Sequence, residues 1–136
     1  QQRWSVLELD DVDEVEVYKG AKKLSLYAQR AGTKWEDRTE KPLPSSLRFG
    51  ERIEAFTHLQ ILSFLDEMSI QDRTKLQQEL DTAPDFAVVL KDRSGIPTRF
   101  RVLRKGDRVF GLQTARASGV VELYPKTLEF FGGISR

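Results

Sequence analysis

Apolar and polar residues alternate early in the chain. Val15 and Val17 fall on one side of an extended segment while Glu14, Glu16 and Tyr18 fall on the other, the period of a half-buried strand. Lys19-Gly20-Ala21-Lys22 supplies a turn, with Gly20 free to take positive φ. Leu24 and Leu26 then alternate with Ser25 and Tyr27, so the two segments predict a β-hairpin. After the Ala31-Gly32-Thr33 turn, Lys34-Trp35-Glu36 predicts a short third strand carrying one large anchor. Residues 38–46 hold two prolines that deny the backbone regular pairing, and a loop is expected there.

The spacing becomes helical over about residues 48–68. Ile53, Phe56, Leu59, Leu62 and Leu65 recur at every third position, and Phe49, Ile61 and Phe64 widen the stripe, which predicts one long helix lying across a sheet. A second helix is expected over about residues 70–80, with Ser69 as N-cap and Asp72 in its first turn. Its apolar positions, Ile70, Leu76 and Leu80, are sparse, which makes it peripheral. Pro84 closes the helical region. Residues 86–90, 98–103, 108–112 and 120–124 predict four strands, with turns at 92–95, at Gly106-Asp107 and at 117–119. A single helical turn is expected over 126–131, after Pro125. The order β-β-β-α-α-β-β-β-β predicts an α+β fold: a mostly antiparallel sheet with two central helices packed on one face. The halves echo each other as hairpin plus extra strand, without a residue-level repeat. Trp35, Phe56, Leu59 and Leu62 are the expected core.

At 136 residues and 15.6 kDa the chain is sized for one domain, residues 1–136. Folding at that size buries about 68% of the surface exposed by the unfolded chain, enough for a core without staples. No apolar run reaches the roughly 18 residues of a membrane span. There are no cysteines, which excludes disulfides, thiolate metal sites and a cysteine nucleophile, and a single histidine excludes a histidine-rich metal cluster. No metal or cofactor is expected. The opening Gln1-Gln2-Arg3-Trp4 lacks an initiator methionine and a signal-peptide profile, so a piece trimmed from a longer chain is expected.

The net charge of +1 is unevenly spread. Residues 1–20 carry Glu8, Asp10, Asp11, Asp13, Glu14 and Glu16 against Arg3 and Lys19, whereas residues 91–108 carry Lys91, Arg93, Arg99, Arg101, Arg104, Lys105 and Arg108 against Asp92 and Asp107. The two segments can meet inside the fold, between subunits, or not at all. His58 has only Thr57 as a nearby hydroxyl, and a helix-surface position explains it better than a catalytic base. The carboxylate pairs Asp10-Asp11, Asp13-Glu14 and Asp66-Glu67 read as solvated charge, and residues 10–14 lack the glycine of a calcium loop. No phosphate-binding glycine loop occurs. The basic hairpin is the sharper feature. Arg99 and Arg101 share one strand face, Phe100 and Val102 the other, and Arg104, Lys105 and Arg108 lie nearby. These five cations form a candidate surface for an acidic protein partner. A phosphate-binding ribbon for nucleic acid is the alternative, weakened by the burial expected of Phe100 and by a pI near 8.2.

Residues 12–17, Gly20, Lys23-Leu24-Ser25-Leu26 and Gly32-Thr33-Lys34-Trp35, followed by a leucine-rich helix at 53–65, resemble the opening of the bacterial domain of unknown function 4340 family. Residues 80–84, 88–95 and the strands to 120–123 are similar to its second half, and the basic stretch 99–103 departs from it. The resemblance implies a periplasmic or otherwise extracytoplasmic domain, tethered through an N-terminal membrane segment and associated with ABC-type transport or gliding-motility components. It supplies no catalytic residues. The expected function is therefore a non-enzymatic interaction module of a bacterial envelope assembly, with a protein partner that is membrane-associated. Nucleic-acid binding through residues 91–108 is the first alternative, and a small hydrolase using His58 or the acidic opening segment is the second.

Overall fold

A computed structural model describes residues 2–115 and 119–125. The fold is mixed α+β, as the patterning predicts. Nine strands form one antiparallel sheet in the order β1-β5-β9-β8-β7-β6-β2-β3-β4. They are β1 (Gln2–Arg3), β2 (Val12–Lys19), β3 (Lys23–Ala31), β4 (Lys34–Glu36), β5 (Gln60–Ser63), β6 (Phe86–Asp92), β7 (Pro97–Lys105), β8 (Arg108–Gln113) and β9 (Val121–Leu123). Helix α1 (Phe49–Thr57) precedes β5, and helix α2 (Ile70–Thr82) follows it. The helical turn expected over 126–131 lies outside the described residues.

The long helix expected over 48–68 is instead α1 followed by strand β5. Three-residue spacing suits either a helix or an apolar segment that leaves one, and long-range pairing decides between them here. Thr57 ends α1 by turning its hydroxyl back to the Glu54 carbonyl at 2.8 Å, and the Leu59 carbonyl then accepts the Trp4 amide at 2.8 Å. Residues 60–63 become a strand by pairing with β1 on one side and β9 on the other. Leu62 is the extra residue in the irregular β5·β9 register, where Ile61 faces Leu123 and Ser63 faces Glu122. It is therefore 45% exposed and not part of the core, which corrects the expectation for it. Trp35, Phe56 and Leu59 are buried as expected.

Bulges re-aim side chains elsewhere too. Between Val12 and Glu14 the β2·β6 register slips by one, so Val12 joins Val15 and Val17 in the core despite its odd spacing from them. Between Val17 and Tyr18 the partners on β3 jump from Leu26 to Leu24, leaving Ser25 as the extra residue. Leu24 consequently lies opposite Tyr18, on the outer face, and is exposed.

The two helices cover opposite faces of the sheet, not one face. Ile53 and Phe56 of α1 join Phe100, Val102, Val109, Val121 and Leu123, whereas Leu76 and Leu80 of α2 join Phe110 and Val120, with Leu103 and Leu112 packed against them. Neighbours along a strand point to opposite faces, so Val109 and Phe110 separate the two clusters. Tight α2 capping agrees with the sequence: Ser69 accepts the Asp72 amide at 3.1 Å. Its Ile70, counted among the apolar positions, is 83% exposed.

Trp4 sits at the centre of the first cluster with none of its surface exposed. Its ring meets Phe56 and Phe100 edge-on at 6.0 and 5.0 Å, and those two meet each other at 5.0 Å. The space for the indole comes from Gly111, where a Cβ would lie 2.6 Å from Trp4 Cζ2 and 2.9 Å from Leu123 Cδ1. Both of those atoms belong to the packed core, so neither yields cheaply. Gly111→Ala is expected to cost about 1–3 kcal/mol by overpacking, and Leu62→Ala to stay within about 0.5 kcal/mol of wild type. Urea denaturation of the two variants checks both values.

Candidate partner-binding face

Strand β7 alternates strictly along its length. Thr98, Phe100 and Val102 face the Trp4 core, so Arg99, Arg101, Leu103 and Lys105 face the α2 side. Arg108 lies opposite Lys105 in the β7·β8 pair and shares that side, whereas Arg104 points to the other. The hairpin's cations thus do not form one ribbon.

Most of them serve the fold. Arg101 reaches Asp81 of α2 at 3.4 Å, and Lys105 reaches Glu79 of α2 at 2.8 Å. Arg108 grips Glu122 of β9 through two hydrogen bonds, at 2.8 and 3.2 Å, with its guanidinium 4.9 Å over the Phe110 ring. The Glu122 hydrogen bond and charge hold that guanidinium still more firmly protonated than usual. Among the described residues, no carboxylate lies within ion-pair distance of Arg99 or Arg104. Those two arginines are on opposite faces.

The acidic opening segment and the basic late segment do meet, because β2 pairs with β6. Lys91 lies 3.7 Å from Glu14, and Arg93 donates to the Asp10 carbonyl at 3.3 Å. Beyond the part covered by α2, the outer sheet face carries Glu14, Glu16 and Tyr18 of β2, Tyr27 of β3 and Arg99 of β7. The Tyr18 hydroxyl donates to Glu16 at 3.0 Å, and Arg38 stacks 4.4 Å over the Tyr27 ring while reaching Glu16 at 4.0 Å.

A recess of about 240 Å³ lies on this face, walled by Tyr18, Lys22, Arg99 and Arg101. Its floor is Ala87 and Val89, both buried, which stand opposite Arg101 and Arg99 in the β6·β7 register. The arrangement offers two guanidiniums, an ammonium and a phenol over an apolar floor. Such a site suits a carboxylate, which accepts a planar guanidinium through two parallel bonds. Residue type and alternation alone put Arg99 and Arg101 together. Tyr18 and Lys22 were not legible as their neighbours, because the pairing of β2 with β6 spans some seventy residues.

His58 caps α1: its Nδ1 is 2.8 Å from the Glu54 carbonyl, and the ring is exposed. Thr57 gives its hydroxyl to the same carbonyl at 2.8 Å. Asp11 accepts the Glu8 amide at 3.0 Å in a tight turn at residues 9–11. Among the described residues, no group of three His, Asp or Glu side chains is placed to hold a metal ion, and no helix is long and apolar enough to cross a membrane. No protein-family model matches the chain, and neither does any curated protein or solved structure.

Burial and the Glu16 hydrogen bond push the Tyr18 phenol above its ordinary value of 10.0, and burial and Glu14 do the same for Tyr27. In both cases the fold favours the neutral phenol. Their contribution to stability is therefore complete below pH 10.0 and is lost as the pH rises through the folded-state values. A phenolate absorbance titration should show two tyrosines ionising late, one of them removed by Tyr18→Phe and the other by Tyr27→Phe.

Proposed function

We propose that this chain is a non-enzymatic protein-interaction module, an accessory part of a larger assembly. The carrying observation is Arg99. Three of the hairpin's five candidate cations are neutralised by Asp81, Glu79 and Glu122, while Arg99, exposed at the rim of the recess, meets no carboxylate among the described residues. A charge left uncompensated beside an apolar floor is poised for a carboxylate of a partner. The envelope setting, with a membrane-associated partner, enters this proposal through the sequence resemblance.

Two features favour a protein carboxylate over nucleic acid. Glu14 and Glu16 lie on the same face and would repel a phosphate backbone, and the remaining unpaired cation of the hairpin, Arg104, is on the other face. The distances at His58 and the acidic turn describe helix and turn capping, which gives the hydrolase reading no added support.

Affinity capture of the tagged full-length protein from its native cell, with partners identified by mass spectrometry, tests the reading. Arg99→Glu is expected to weaken recovery of the specific partner about ten- to hundredfold, while Arg104→Glu leaves it unchanged. Equal recovery by wild type and Arg99→Glu removes the recess from the proposal. Recovery of oligonucleotide-binding activity that falls steeply with salt would replace it with the nucleic-acid reading.

A further inference from the structure

Helix α1 starts without a capping side chain. The position that usually holds Ser, Thr, Asp or Asn is Arg48, which has no acceptor and makes no capping hydrogen bond. The Arg52 amide donates to the Arg48 carbonyl at 3.1 Å, but the Phe49, Gly50 and Glu51 amides before it meet no acceptor among the described residues. Carbonyls nearby are already engaged: Trp35 accepts the Leu43 amide at 2.9 Å, Pro44 that of Leu47 at 3.0 Å, and Ser45 that of Arg48 at 3.1 Å. A second donor stands beside this turn. Trp35 is only 9% exposed, and its Nε1 lies 3.7 Å from where a Cβ on Gly50 would be. That indole N–H donates to no group among the described residues. Trp35 and Gly50 both line a cleft of about 500 Å³ between α1 and the 42–45 loop, with Pro42, Leu43, Pro44 and Phe49 as its other apolar walls.

We propose that this cleft binds a small organic acid, with its carboxylate at the first turn of α1 and its apolar body against Trp35 and the prolines. The volume is that of a small-molecule site, and its make-up follows the same rule: apolar walls with a few convergent polar groups. Buried donors without partners are costly, so the ligand that fits must bring acceptors. A carboxylate brings two oxygens and no donor. The first-turn amides also carry the positive end of the helix dipole, which favours an anion over a neutral carbonyl. By bond geometry the Gly50 nitrogen is within about 7 Å of the Trp35 Nε1. Two hydrogen bonds to the two oxygens of one carboxylate span roughly 8 Å, so a single group can meet both donors.

The formal charges around the cleft nearly cancel, so the donors themselves provide the selection. Arg48 and Glu51 pair with each other at 2.6 Å at the rim, both more than half exposed. Lys34 borders the cleft, but strand alternation turns its side chain to the face opposite Trp35. Trp35 and Phe49 belong to the core that α1 closes, whereas the Arg99 recess is on the other face of the sheet. The cleft is therefore separate from the surface assigned to a protein partner.

NMR titration of the nitrogen-15-labelled chain with 3-phenylpropionate tests the inference. The Trp35 indole N–H and the amides of residues 49–51 should shift together and saturate with a Kd on the order of 1 mM, while the Trp4 indole should not move. 3-Phenylpropionamide keeps the ring and loses the charge, and acetate keeps the charge and loses the ring. Each should bind about tenfold more weakly than the parent acid. In Gly50→Ala the new methyl makes an ordinary 3.7 Å contact with Nε1, so the fold accepts it, and alanine suits a helix better than glycine. That methyl crowds the space between the two donors and should weaken the acid about tenfold at an unchanged or higher Tm. Arg99→Glu should bind the acid as wild type does. No saturable shift at about 20 mM acid, some twenty times the expected Kd, overturns the inference. Equal affinity for acid and amide overturns the carboxylate assignment, and full affinity in Gly50→Ala overturns the location.

Discussion

The seating of Trp4 over Gly111 is the constraint on which the rest of the structure depends. A full indole enters the core from the start of the chain because one position in β8 has no side chain. Its amide bonds to Leu59, and its carbonyl receives the Gln113 side-chain amide. Those two bonds tie the opening segment to the end of α1 and to the end of β8. The aromatic trio of Trp4, Phe56 and Phe100 then connects β1, α1 and β7, elements that are far apart in sequence. Edge-on ring contacts stabilise by about 0.5–1.5 kcal/mol each beyond the area they bury. The position of β5 between β1 and β9 follows from the same seating, since β1 leads directly into Trp4.

The two helices divide the labour between the sheet faces. α1 closes the face that holds the aromatic trio, while α2 lies over β7 and β8 on the other. Because α2 is mostly polar, its attachment combines a small apolar cluster around Leu76 and Leu80 with ion pairs from Asp81 and Glu79 to Arg101 and Lys105. Half-exposed pairs of this kind contribute little stability individually. Their larger effect is on the surface, since they consume charges that the sequence displays as a basic patch. Among the described residues, the part of the face that α2 leaves uncovered holds Arg99 at the recess. Lys22, in the β2–β3 turn, lines the recess.

Local patterning was enough for every element whose period is short and unbroken. Val15 and Val17 announce β2, Phe100 and Val102 announce the buried face of β7, and Ser69 with Asp72 announces α2. Mixed α+β architecture follows from those segments, and so does the placement of Arg99 and Arg101 on one strand face. Residues 59–65 were ambiguous because their apolar spacing fits a helix, and only the β1 and β9 partners make residues 60–63 a strand. Leu62 was misplaced because a strand stands where a helix was expected, so it alternates away from buried Ile61, whereas Leu24 was misplaced because a bulge adds a single residue, which reverses the side a side chain faces and leaves no mark in a hydrophobic pattern.

The amino-acid sequence by itself determined most of the strand and helix types, β1 and β5 excepted, the cysteine-free chemistry, and which residues carry charge. Tertiary structure alone decided which charges stay available. Pairing β2 with β6 brings Tyr18 beside Arg99, and the α2 docking neutralises Arg101 and Lys105. Those outcomes depend on contacts between segments distant in the chain. Local periodicity carries no information about such contacts, because it reports only which face of an element is buried and not what buries it.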